Sequence, residues 1–212
     1  PARREAVGML QAAALSVGAQ TRPGQLAVDI VAADPSTAAA ADVLAEELRR
    51  LGHPARVTDV TGLREVLAAA AGDIRAREEA ALAGRRDAAA VMRLVVVFAM
   101  DVGRAAMESR DETSRRSGLD DLRILTRRGP ATRVHLLAWW RAPSRLAEDL
   151  GPVNRDDIAA WVSAGLPGSD LFGLAGHRPV NAGTTPNRAV LFDRHAQADP
   201  RTVVPFAPLG TR

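Results

Sequence analysis

The sequence contains no cysteine, so disulfide staples and thiolate metal sites are excluded and nothing in it marks a redox compartment. Lysine is also missing: all 28 basic residues are arginine. Guanidinium groups do not titrate below about pH 12. A pI near 10.9 therefore coexists with a net charge of only +3. That balance reflects an Ala- and Arg-rich composition before it argues for a dedicated nucleic-acid surface. No apolar run approaches the roughly 20 residues needed to cross a bilayer, and no N-terminal signal pattern is present, so the expectation is a cytoplasmic segment with no membrane partner. Aromatic residues make up only 3% of the chain. There is no G-x-S-x-G elbow, no G-x-G-x-x-G fingerprint and no clustered carboxylate pair of glycosidase type. The four histidines, His53, His135, His177 and His195, lack metal-ligand spacing, so no metal site is expected.

What is present is a globular composition: 212 residues, 47% hydrophobic and 25% charged. That is enough for one sizeable core, and residues 1–212 read as a single domain. Val7, Leu10, Ala14 and Val17 fall at helical spacing. Leu26 to Ala32 reads as a strand, followed by Ser36 as a candidate N-cap and a helix carrying Leu44, Leu48 and Leu51. A short strand is expected within His53 to Val60, then a long helix capped by Thr61 and running through Leu63, Leu67, Ala70 and Ile74. Its charged end, or a loop, lies at Arg75 to Arg86.

Arg93 to Met100, RLVVVFAM, is the most strand-like run and belongs at the sheet centre. Asp101 to Arg116 is dense in charge and predicts a mobile loop. Asp120 to Arg128 reads as a helix that Gly129-Pro130 stops. Val134 to Trp140 is an apolar run broken only by His135, which suits a parallel strand covered on both faces, with His135 a hydrogen-bonded core residue. Trp139 and Trp140 alternate across it. Beyond Ser144 the spacing predicts a short helix with Leu146 and Leu150, then a strand or helix at Ile158 to Val162. Gly165 to Thr185 is Gly/Pro-rich and irregular, and Arg188 to Phe192 is a strand beside which Val203 to Phe206 pairs. Strand–helix alternation predicts an α/β fold with a mostly parallel sheet, whose ligands belong at the carboxyl ends of its strands.

Leu125 to Ser144, LTRRGPATRVHLLAWWRAPS, carries a resemblance. It is similar, without a gap, to the second half of the motor domain of FtsK/SpoIIIE-family P-loop ATPases, and most of all to a divergent actinobacterial-type branch. Leu125, Arg127, Arg128, Gly129, Ala131, His135, Leu136, Pro143 and Ser144 match. Where the family carries a polar Thr-Gln pair that senses phosphate, this chain has Trp140 and Arg141. LAVDIVAADPS resembles the family strand that ends in Asp-Pro, here Asp34 and Pro35, and RLVVVFAMD stands at the Walker B strand. PNRAVLFD and VVPFAPL resemble the late strands.

The resemblance implies a three-layer RecA-like P-loop NTPase domain, using ATP and Mg2+ in the intact family member. It implies ring assembly and movement along double-stranded DNA. Asp101 is then the candidate Walker B acid, although it falls two or three residues late and reads equally as a helix-capping Asp. Arg141 takes the sensor position, free to contact phosphate or to pair with Asp101 or Asp34, and Asp34 and Ser144 stand near the nucleotide. Arg127 and Arg128 are candidate trans-acting arginines, or a pair complementing the helix dipole. A Walker A loop requires lysine, so it is absent. Pro1 stands where that loop would have ended: the chain either begins after it or has lost it. Two further readings stand: a degenerate, non-catalytic module for assembly or peptide binding, like domains of the EccC secretion ATPases, and a small-molecule enzyme on a flavodoxin- or Rossmann-like sheet.

Overall fold

A computed structural model describes residues 2–85, 90–111, 115–151, 157–166, 187–195 and 200–210. His177, Arg86 and most of the Gly165 to Thr185 stretch lie outside the described residues. Helix α1 (Ala2–Gln20) leads into β1 (Leu26–Ala32), α2 (Ala38–Arg50), β2 (Ala55–Asp59), α3 (Leu63–Leu82) and β3 (Met92–Phe98). Short α4 (Arg104–Glu108), α5 (Gly118–Arg128), β4 (Val134–Ala138) and α6 (Pro143–Leu150) follow. Strands β5 (Ala160–Ala164), β6 (Ala189–Asp193) and β7 (Arg201–Val203) complete the described elements.

The first four strands form one parallel sheet in the order β2-β1-β3-β4, with Ile30 opposite Val96 and Val96 opposite Leu137. Period-two alternation splits the core into two layers. Leu26, Val28 and Ile30 of β1 and Leu94, Val96 and Phe98 of β3 pack against α1 and α2. Val31, Val95 and Val97 pack against Leu67, Ile74, Leu122 and Leu125 of α3 and α5. Central β1 and β3 are largely sealed on both faces, their apolar runs broken only by Asp29 and Arg93.

Strand β4 departs from that expectation. Apart from Val134 it is only half-buried, because among the described residues only β3 pairs with it. The edge position also leaves the His135 ring without a hydrogen bond to any described residue, where a hydrogen-bonded core histidine was expected. Both residues expected as helix caps are displaced by an acid two positions earlier. Asp34 accepts from the amide and hydroxyl of Ser36, and Asp59 does the same for Thr61. A charged acceptor outcompetes a neutral hydroxyl for the free amide. Asp101 to Arg116 is not an open loop throughout: it carries a 3-10 turn and α4, anchored by buried Met107.

The remaining strands make an antiparallel sheet in the order β5-β6-β7. Trp161 stacks on its cross-strand partner Phe192 with ring centroids 5.3 Å apart. The last strand lies slightly upstream of the predicted Val203 to Phe206. Its continuation crosses α1, where Gly8 leaves room for the Phe206 carbonyl. Fully buried Gln11 donates to the Ala40 carbonyl and accepts from the Leu209 amide, joining α1, the α2 start and the tail. Among the described residues no helix is long and apolar enough to cross a membrane.

Candidate functional site at the strand tips

Backbone pairing continues past the ends of β1, β3 and β4: the Ala33 amide donates to the Phe98 carbonyl at 3.2 Å, and that of Met100 to Trp139 at 2.8 Å. Three of the predicted residues therefore come together at the carboxyl ends of adjacent strands: Asp34 after β1, Asp101 after β3 and Arg141 after β4. A local device delivers Asp101. Ala99, fully buried, adopts φ 59° and ψ 58°, a left-handed conformation uncommon for a residue with a Cβ. It turns the chain into the 3-10 segment Met100–Gly103, so an acid that lies late in sequence still reaches the strand tip.

There its carboxylate, 3% exposed, accepts from the Arg141 Nε at 2.7 Å and, at 3.4 Å, from the Arg141 amide. The Arg141 side chain is 55% exposed and covers the acid like a cap. Beside it, hydrogen bonds from the Ser36 hydroxyl and amide hold the Asp34 carboxyl below its ordinary value of 3.8, with smaller help from Arg3 and Arg141. Arg3, in the first turn of α1, reaches Asp34 at 3.2 Å.

Other predicted residues fall elsewhere. Ser144 is exposed in the first turn of α6. Arg127 and Arg128 end α5, at the amino end of the sheet and away from the strand-tip acids. Arg128 donates to Glu78 of α3, with its Nε at 2.8 Å, and Arg127 lies 3.8 Å from Asp157.

Two residues that the sequence reading passed over, Asp149 and Arg104, belong to the strand-tip site. Asp149, fully buried on α6, accepts from the Trp140 Nε1 at 2.8 Å and from Arg104 at 2.9 Å. Burial pushes its carboxyl up, only partly offset by Trp140 and Arg104, while Asp101 and Glu148 add to the rise. One signal was available: Asp149 shares the inward face of α6 with Leu146 and Leu150, an acid at an apolar position. Trp139 and Trp140 do face opposite layers, Trp140 toward α3 and α5 and Trp139 toward α1 and α2.

A second acid–arginine cluster lies lower in the sheet. Asp29 of β1 accepts from Arg56 at 2.7 Å and Arg93 at 2.7 Å, and Arg93 also donates to Asp73 of α3 at 2.6 Å. A cavity of about 180 Å3 opens beside it, between β2 and α3.

The strand-tip residues do not fit an ordinary Mg-nucleotide. These 212 residues contain no lysine to reach the phosphates, and Asp101 at the β3 tip has a guanidinium on it. Among the described residues no three acidic, His or Cys side chains could hold a metal ion.

No protein-family model matches the sequence, and no curated protein matches it either. The structure is similar to EssC (ATPases 2 and 3) from Geobacillus thermodenitrificans: TM-score 0.69, 14% identity, over 95% of this chain and 37% of that one. It is also similar to the pCW3 conjugation coupling protein TcpA in monomer form with ATPgS: TM-score 0.57, 12% identity, over 90% of this chain and 54% of that one. This chain thus spans between 37% and 54% of the length of those structures. Both are FtsK/SpoIIIE-like P-loop ATPases, so the resemblance read from the sequence is met at the level of fold: α/β, RecA-like, with a parallel central sheet.

Proposed function

We propose that residues 1–212 form one ATPase-like domain of FtsK/SpoIIIE type that does not turn over ATP by itself and serves as an assembly module, associating with further copies or with a protein segment. The observation that carries this reading is the Arg141–Asp101 pair. In a working motor the acid at that tip orients a metal-bound water shell, and the neighbouring strand offers a polar group to the phosphate. Here the neighbouring strand offers a cation to the acid instead, which neutralises the charge that a magnesium ion would need. The absence of lysine and the likeness to EssC, a structure of its second and third ATPases, support the same reading.

Likeness to TcpA, a conjugation coupling protein solved with a nucleotide analogue, favours a second reading. In it the same fold is part of an ATP-dependent motor on double-stranded DNA, with Arg127 and Arg128 offered to a neighbouring subunit's nucleotide and a phosphate loop supplied from elsewhere. Calorimetric titration of Mg-ATP into the chain, with and without duplex DNA, separates the two. The expected result is no saturable heat and no phosphate release. Saturable binding in the micromolar range, or hydrolysis that rises with DNA, overturns the module reading.

A further inference from the structure

Asp149 stands outside the strand-tip pair and yet bonds a chain neighbour of each of its members. One carboxylate oxygen accepts from Trp140, the residue before Arg141. The other accepts from Arg104, which follows Asp101 by three residues at the end of the turn that Ala99 begins. The carboxylate is fully buried on the inner face of α6, and α6 itself begins two residues after Arg141.

We infer that Asp149 is the positioning residue of this site: a single buried carboxylate ties the segment carrying Asp101 to the segment carrying Arg141 and so sets the geometry of their ion pair. The inference rests on reading that pair as the functional feature of the site. An ion pair whose arginine is 55% exposed holds little geometry alone, since solvent screens it and the long side chain has many rotamers. What holds the pair is the frame beneath it. The Met100–Trp139 backbone bond supplies one strut at 2.8 Å. The other described hydrogen-bonded struts joining these two segments are the long Arg141 amide contact to Asp101, the Trp140–Asp149–Arg104 bridge and the exposed Arg104–Glu148 contact at 3.3 Å. Of these, the bridge alone passes through a buried carboxylate of α6. A partner that displaces α6 therefore opens the Asp101–Arg141 pair, which couples the site to the outer surface of the helix.

The test follows side-chain resonances in the 15N-labelled 212-residue chain and uses no nucleotide, so its outcome is separate from the Mg-ATP experiment. In Asp149→Asn, the Trp140 indole Nε1–H shifts. The Arg141 Nε–H exchanges with water roughly tenfold faster or more, as expected when a charge-assisted bond loses its geometry. Trp140→Phe deletes the indole donor while keeping an aromatic ring and produces the same acceleration, which keeps the inference testable should Asp149→Asn not fold. Glu148→Gln, which removes another acid facing Arg104, leaves the Arg141 rate unchanged. Wild-type exchange at Arg141 in the bridge variants overturns the inference. So does an equal acceleration of the Val95 and Val96 amides in β3, because that would mark a general loosening of the sheet.

Discussion

Two clusters of aspartate and arginine lie on one sheet, one within it and one at its strand tips, built from the same chemistry and differing in access. In the lower cluster, Asp29 is 8% and Arg93 11% exposed, and Arg93 reaches carboxylates on both β1 and α3. Asp29 and Arg93 are held by opposite charge inside the fold, with Arg56 and Asp73 at its exposed margin, and the cluster is a tie between strand and helix. In the upper cluster the acid is as deeply placed, but the arginine head stands in solvent and a second acid, Asp149, is pushed toward its neutral form by burial. Similar residues therefore do different work. A buried pair that loses one member leaves a stranded charge, whereas a half-exposed arginine can leave with water taking its place.

The comparison breaks most directly through the buried arginine. Arg93→Met is expected to lower stability by about 1.5–3 kcal/mol in a denaturant titration, because it removes the inner partner of Asp29 and leaves only the exposed Arg56 beside it. Arg141→Met should lower it by less than about 1 kcal/mol. Equal losses in the two variants would mean that exposure does not distinguish the clusters.

Next in size is the turn that delivers Asp101. Ala99→Val places a β-branched side chain in the left-handed region and in a fully buried site, with an expected loss of about 2 kcal/mol or more. Ala99→Gly fits the same φ and should fall within about 1 kcal/mol of the wild type. A tolerated valine would show that the turn is not a constraint. Asp34→Ala removes the acceptor for the Ser36 amide ahead of α2 and should cost about 1 kcal/mol, read from the thermal midpoint.

The smallest effect is in pH dependence, and its sign differs between acids. Asp149, raised above 3.8, binds its proton more tightly in the folded state. Its contribution is present below 3.8 and is lost as pH rises through the folded value. Asp34 and Asp120 are lowered, so theirs is present above 3.8 and lost as pH falls through their folded values. Unfolding midpoints measured across the acid range should lose their falling component in Asp149→Asn and their rising component should shrink in Asp34→Asn. An unchanged slope in both would remove the electrostatic contrast.

Much of the site was legible because strand ends are legible. Leu26 to Ala32, Leu94 to Phe98 and Val134 to Trp140 are apolar runs interrupted only by Asp29 and His135, and the residues that follow such runs in a parallel sheet lie at its carboxyl edge, which places Asp34, Asp101 and Arg141. Arg127 and Arg128 were legible as a helix end, not as neighbours of those acids, since α5 runs back to the opposite end of the sheet. The role of Asp149 was hidden because its partners lie 9 and 45 residues away, on elements whose packing no local pattern specifies.

By itself the sequence determined the alternation of strands and helices, the α/β class, the lack of lysine within these 212 residues and the chemical identity of every residue at the strand tips. These follow from periodicity and composition, which act locally along the chain. Only the tertiary structure decided that Arg141 closes on Asp101 rather than on Asp34, that β4 is half-exposed at the sheet edge, and that Asp149 is buried between Trp140 and Arg104. Each of those depends on which elements meet in space and on how much water their packing excludes, and neither quantity is local to any stretch of residues.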